Sequence, residues 1–164
     1  MKHLLIMRGP SGAGKSTVTK IIRKKLKGKT AVLCSDPFYH GICIREQNKD
    51  VIYGALYLLT GHYLKNGYNV ILEGVLSSRK NKKLRIDKFK RLGKRLGAKV
   101  TMVYLNIDVK TAVKRRKRKE YVMTPSYVKK IHAMSIISKH KNDYEIDVTG
   151  KTPRHIANKI ISLL

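Results

Sequence analysis

The sequence has no tryptophan, two phenylalanines, two cysteines, four prolines and ten acidic residues. Cys34 and Cys43 are not spaced as metal ligands, and in a reducing compartment they are free thiols with structural or incidental roles. The six histidines form no metal-ligand spacing either. No apolar run approaches the ~18 residues that a membrane span requires. The apolar run near the N-terminus, Leu4-Leu5-Ile6-Met7, gives way at once to the glycine-rich stretch from Gly9, unlike a signal peptide. The expected location is therefore the cytoplasm. Repeats, low-complexity linkers and internal boundaries are also missing. With 164 residues and 42% hydrophobic composition, one domain around one core is expected.

The scarcity of acids leaves 37 Lys plus Arg against 10 Asp plus Glu, a formal net charge of +27. Such an excess creates a positive field that attracts polyanions. The same excess also arises from general lysine enrichment on a solvated face, and charge alone does not separate the two. The charge is clustered. Between Arg79 and Lys99 the one acid is Asp87, and Lys114 to Lys119 is an unbroken basic run. In the first cluster, Leu84, Phe89, Leu92 and Leu96 form an apolar stripe, which predicts a surface helix with a basic outer face.

Apolar runs alternate with helical patterns along the chain. Strands are expected at His3–Met7, Ala31–Cys34, Asn69–Leu72, Val100–Leu105 and Tyr144–Val148. Helices are expected at Ser16–Leu26, Asp50–Leu64, Leu84–Leu96, Val109–Lys119, Pro125–Ser138 and Pro153–Leu163. In the second helix Ile52, Leu56, Leu59 and Tyr63 share a side, and Asp108 is placed to cap the fourth. Strand–helix alternation with continuous apolar strands implies a buried parallel sheet, covered by helices on both faces. Ligands bind such sheets at the carboxyl ends of the strands, so the residues after each strand carry the functional reading.

After the first strand comes Gly9-Pro10-Ser11-Gly12-Ala13-Gly14-Lys15-Ser16-Thr17, the pattern of a phosphate-binding loop. Gly9, Gly12 and Gly14 let the backbone curl around phosphate with its N–H groups inward, and the following helix adds its positive N-terminus. Lys15 is expected to reach the β- and γ-phosphates. Ser16 is expected to ligate Mg2+, the one metal anticipated, brought by the nucleotide. After the second strand, Asp36 is a candidate to take the proton of an attacking hydroxyl or to hold a Mg2+-bound water; the alternative is a turn cap. Phe38 and Tyr39 follow as candidates to stack on an acceptor ring or to join the core. After the third strand, Glu73 is placed like a second metal-site carboxylate, orienting the metal's water shell or the acceptor. Its alternative is a buried acid paired with a basic neighbour. Ser77, Ser78 and Arg79 extend that loop toward the acceptor.

The run Lys114 to Lys119 supplies guanidinium groups, which clamp phosphate bidentately and stay charged. A helix ending in arginines and linked to a second helix makes a lid, about residues 114–126, that neutralises charge on a transferred group. Arg115 and Arg118 share a helical face by their spacing; the alternative is a basic face that touches only water. Finally, Asp147-Val148-Thr149-Gly150-Lys151-Thr152-Pro153 is placed to border an adenine.

The order of Gly9–Thr17, Ser35-Asp36, Val70-Ile71-Leu72-Glu73-Gly74, Arg115–Arg118 and Asp147–Pro153 resembles the small P-loop kinases of the zeta-toxin, chloramphenicol-phosphotransferase and polynucleotide-kinase group. The resemblance covers nearly the whole chain. It implies an α/β, three-layer P-loop NTPase fold: a five-stranded parallel sheet of nucleoside-monophosphate-kinase type with a short helical lid. It implies ATP with Mg2+ as donor, a hydroxyl acceptor, Asp36 as general base, and Arg115, Arg116 or Arg118 as lid cations. The sequence departs from polynucleotide kinases at Tyr39. They carry an arginine three residues after the catalytic aspartate, to hold the acceptor's phosphate, and Arg45 is the available substitute. No residue marks the nucleotide-sugar pocket of zeta-type toxins. With the charge, the favoured acceptor is a nucleic-acid 5′-hydroxyl, RNA or DNA. The alternatives are a small-molecule kinase acting on a nucleoside, sugar or antibiotic, and a non-catalytic, nucleotide-switched nucleic-acid-binding module. The oligomeric state is left open.

Overall fold

The computed structural model describes residues 1–38, 42, 49–74, 84–116, 124–137 and 139–164. Of Lys49, Leu84, Arg85, Arg116 and Ile137 it describes the backbone alone. The elements run β1 (His3–Arg8), α1 (Lys15–Lys25), β2 (Thr30–Cys34), α2 (Lys49–Lys65), β3 (Asn69–Glu73), α3 (Leu84–Arg95), β4 (Lys99–Asn106), α4 (Val109–Arg116), α5 (Pro125–Ile137), β5 (Tyr144–Asp147) and α6 (Pro153–Ile161). The five strands form one parallel sheet in the order β2-β3-β1-β4-β5. The expected elements are all present, with ends displaced by a residue or two. Residues 117–119, expected to finish the fourth helix, lie outside the described residues.

Strand periodicity divides the core into two layers. Leu5 and Met7 face the α1 and α6 side and pack with Val18, Ile22, Ile156 and Ile160. Leu4 and Ile6 face the other side, with Ile52 and Leu56 of α2 and Ile86 and Phe89 of α3. Each central strand is buried on both faces, which is why its sequence is a continuous apolar run. On α3 the buried stripe is Ile86, Phe89 and Leu92. Ile86 was not in the expected stripe, and Leu84's side chain is not described.

Two local choices seat the helices. Asp108 Oδ1 accepts from the Thr111 N–H at 2.8 Å, capping α4 as expected. Gly93 lets α3 lie close on the sheet: a Cβ there would come within 2.7 Å of Val100 Cγ2 and 2.8 Å of Leu4 Cδ2. Gly93→Val should therefore cost about 1–3 kcal/mol through overpacking. At this chain size that lowers Tm by roughly 2–4 °C per kcal/mol, measurable by thermal melting.

The order places β1 in the centre, and the chain crosses first to β2 on one side and later to β4 on the other. This makes the end of β1 the switch point at which a crevice opens. Among the described residues, no helix is long and apolar enough to cross a membrane.

Candidate active site

The loop Gly9–Gly14 occupies that crevice and is shaped by contacts only glycine permits. Gly9 has φ 141° and Gly12 φ 88°. A Cβ on Gly9 would meet Leu105 O at 2.5 Å, and one on Gly12 would meet Ala112 O at 2.9 Å. Gly14 has φ 85° and caps α1 without a side-chain hydrogen bond. The N-terminus of α1 opens onto the loop, where the helix dipole favours an anion. Lys15 folds back over the arch, donating to Gly9 O at 2.9 Å and Pro10 O at 3.0 Å.

Ser16 and Thr19 lie on one face of α1 and converge on Glu73 at the end of β3. Ser16 Oγ donates to Oε1 at 2.9 Å and Thr19 Oγ1 to Oε2 at 2.6 Å. Glu73 is buried. A buried carboxylate needs such donors, and each hydrogen bond to a charged group contributes roughly 1.5–3 kcal/mol. Among the described residues Glu73 is thus held by two hydroxyls. Thr19 was missed from the sequence; its signal was its position one turn after Ser16 on the helix that leaves the loop.

Cys34 is the register partner of Glu73. Burial pushes its thiol up to about 12, and the negative charges of Asp36 and Glu73 add to that, so it stays protonated and unreactive. Among the described residues no group of three or more His, Cys, Asp or Glu assembles a metal cage. What is present, the Ser16 hydroxyl with the Glu73 carboxylate behind it, suits Mg2+. That ion takes oxygen ligands, keeps much of its water shell and relies on substrate phosphates.

Asp36 is exposed, directly after β2, in a helical turn where the Phe38 N–H donates to Ser35 O at 3.1 Å. Arg115, on α4, is brought to the loop: its Nη1 lies 3.4 Å from Gly12 O and its Nη2 3.4 Å from Val148 O. It therefore bridges the phosphate loop and the Asp147–Lys151 turn after β5. Thr149 pins that turn, its N–H donating to Asp147 Oδ1 at 3.0 Å and its hydroxyl to Asp108 Oδ2 at 3.4 Å. Hydrogen bonds from Thr111 hold the Asp108 carboxyl below its ordinary value, and those from Thr149 do the same for Asp147. Arg116's side chain, and Tyr39, Arg45, Ser77, Ser78, Arg79 and Arg118, lie outside the described residues.

Arg8, the last residue of β1, was not anticipated. It is fully buried, and its Nη1 donates to Asp143 Oδ2 at 2.7 Å. Burial pulls the guanidinium down from its ordinary value and Asp143 opposes that. Asp143 also accepts from the His140 N–H at 2.8 Å, and His140 Nε2 lies 3.3 Å from Asp87 Oδ1 on α3. The base of the phosphate loop is tied in this way to α3 through the turn before β5. A charge at the end of an apolar strand was the available signal.

Glu73→Gln keeps the volume of the side chain and removes its charge. The expected result is a loss of about 10–100-fold in activity, typical of a group that orients a metal ligand. The Mg2+ concentration for half-maximal rate should rise while Tm falls only modestly; a magnesium titration of the rate checks this.

No curated protein matches the sequence. Several solved structures share the fold. The APS kinase CysC of Mycobacterium tuberculosis, solved with AMPPNP and APS, has a TM-score of 0.68 and 18% identity, covering 99% of this chain and 96% of that one. A gluconokinase from Sinorhizobium meliloti 1021 has a TM-score of 0.68 and 16% identity over 98% of this chain and 90% of that one. A chain of the Pnkp1/Rnl/Hen1 RNA repair complex has a TM-score of 0.68 and 20% identity, covering 87% of this chain but 47% of that one. At these identities the likeness shows the fold. Residues 4–142 match the family described as AAA domain, a span that takes in the phosphate loop, Asp36, Glu73 and Arg115, and the chain belongs to that family.

Proposed function

We propose that the protein is a cytoplasmic, ATP- and Mg2+-dependent phosphotransferase that moves the γ-phosphate of ATP to a hydroxyl, with a nucleic-acid 5′-hydroxyl as favoured acceptor. The observation that carries the transfer reading is the convergence of Ser16, Thr19 and Glu73 beside a glycine-shaped phosphate loop. In this reading residues 1–164 act as a single kinase domain. The backbone of Gly9, Pro10, Ser11, Gly12, Ala13 and Gly14, with Ser16 and Thr17, cradles the phosphates. Lys15 neutralises the β- and γ-oxygens. Ser16 and Glu73 would hold Mg2+, Glu73 through water, and the ion when bound supplies charge neutralisation between the phosphates. Asp36 accepts the proton of the attacking hydroxyl. Arg115, with Arg116 and Arg118 from a lid over residues 114–126, balances charge on the transferred group. The position of Arg115 beside Gly12 O supports its part in this.

The acceptor is argued from charge together with the resemblance of the motif order to the polynucleotide-kinase group. A net charge of +27 supports a polyanionic partner over a small neutral one. The test is transfer of labelled γ-phosphate to 5′-hydroxyl RNA and DNA oligonucleotides, beside nucleosides, sugars and aminoglycoside-sized alcohols. Labelling of oligonucleotides supports the reading. Labelling of a small alcohol alone replaces the acceptor, and ATP binding without any transfer replaces the activity with a nucleotide-switched binding role.

A further inference from the structure

A groove of about 690 Å³ runs between α2 and α3, outside the phosphate-loop crevice. Its α3 wall carries Lys88, Arg91 and Arg95, all exposed and at one-turn or two-turn spacing. Its α2 wall carries Tyr53, Gly54 and Tyr57. Tyr57 is half-buried and meets Phe89 edge-on, with ring centroids 5.7 Å apart. Gly54 lies mid-helix, where glycine costs about 1 kcal/mol relative to alanine, yet a Cβ there would have nothing within 4 Å. Its absence of side chain leaves open space above the groove floor. The one carboxylate in the lining, Asp50, sits at the first turn of α2, at one end of the groove.

The direction of the groove follows from topology. α2 and α3 follow β2 and β3, so both begin at the carboxyl edge of the sheet, where the phosphate loop lies. At that end Tyr53 is within electrostatic reach of Arg8, the residue before Gly9. From Lys88 to Arg95 the cations then extend about 10 Å down α3, away from the site. Cations along one wall, an aromatic ring on the other and an open floor form the combination that tracks a single strand. The cations follow the backbone while the ring receives a base.

We infer that the α2–α3 groove binds single-stranded nucleic acid, holding the nucleotides that follow the 5′-terminal one while the 5′-hydroxyl is at Asp36. This rests on the nucleic-acid reading of the acceptor and adds where the strand runs. A second copy of the chain is a poor occupant, because each copy brings the same excess of positive charge.

The test uses the full-length chain and 5′-hydroxyl oligonucleotides of two to twelve nucleotides. Two variants address the groove by different means: Arg91→Glu with Arg95→Glu reverses its charge, and Gly54→Leu fills its floor. Wild type should show KM falling with length. Both variants should raise KM for the longer acceptors by 10–100-fold, with kcat and the dinucleotide KM unchanged and Tm retained. Binding of a fluorescent twelve-nucleotide strand should weaken in parallel. The log–log salt slope should shrink by about 1.4 in the charge-reversed variant, about 0.7 for each lost phosphate contact. Equal effects on short and long acceptors, or unchanged binding of the fluorescent strand, would overturn the groove assignment. So would loss of binding to phosphatidylserine vesicles with strand binding intact. If no oligonucleotide is phosphorylated but strand binding is still lost in both variants, the acceptor reading fails and the groove stands as a binding site.

Discussion

Lys15→Ala should lower kcat/KM for phosphoryl transfer by about 10³-fold. Lys15 opens α1 and its ammonium reaches back to Gly9 O and Pro10 O, so it spans the mouth of the phosphate loop. Two losses follow from removing it. The positive charge aimed at the β- and γ-oxygens disappears, and the loop carbonyls that it gathers are left to repel the incoming phosphates. Electrostatic groups preorganised at a transferring phosphoryl act mainly on the transition state, so the fall should be larger in kcat than in nucleotide affinity. Single-turnover transfer of labelled phosphate, with ATP-analogue binding measured separately, divides the two. Lys15→Arg keeps the charge and should recover part of the binding but little of the rate, because the planar guanidinium does not fit a point-charge site. Tm should change little, since Lys15 lies at the crevice and outside both apolar layers.

The elements were legible in the sequence because the central strands are apolar runs between turn residues, and helices open or close on recognisable signals. Thr152 and Pro153 start α6, where Thr152 accepts from the His155 N–H. The phosphate loop was legible down to single residues, since its geometry excludes any side chain at Gly9 and Gly12. What escaped were the partners that tertiary structure supplies. Glu73 was singled out by its place at a strand end, but nothing local in sequence joins it to Thr19, 54 residues away. Arg8 was passed over because nothing beside it in the sequence marks a partner for its charge. In the fold it turns to Asp143, which comes from the far end of the chain. A buried guanidinium without such a partner would be costly, so the pair is a condition of ending an apolar strand on arginine. Gly93 escaped for a related reason. A glycine inside a basic amphipathic helix reads as a weak point, and only the contact with Val100 and Leu4 gives it a function. The α2–α3 groove is likewise invisible to periodicity, because it belongs to two helices and depends on how closely they pack.

Asp36→Asn is the second large effect, and the one that bears on chemistry more than on binding. Asp36 is exposed at the end of β2, separated from the phosphate loop by one strand, with Glu73 at the end of that intervening strand. An exposed carboxylate in this position is open to a hydroxyl that enters the cleft. Glu73, buried and holding two hydroxyls, is poorly placed for the same task. General-base catalysis contributes typically 10²–10⁴-fold, so kcat should fall by about that factor while KM for ATP stays near wild type. The competing role, a cap on the short turn toward Phe38, makes the opposite forecast. Asparagine caps as well as aspartate does, so both Tm and kcat would then be nearly unchanged. Asp36→Ala completes the argument. If Asp36 is the base, Asn and Ala should be similarly inactive whatever their stability. If it is only a cap, Ala should lose about 1 kcal/mol of stability and Asn should keep full activity. Steady-state rates and melting curves on these two variants therefore decide whether the carboxylate beside the cleft moves a proton or shapes a turn.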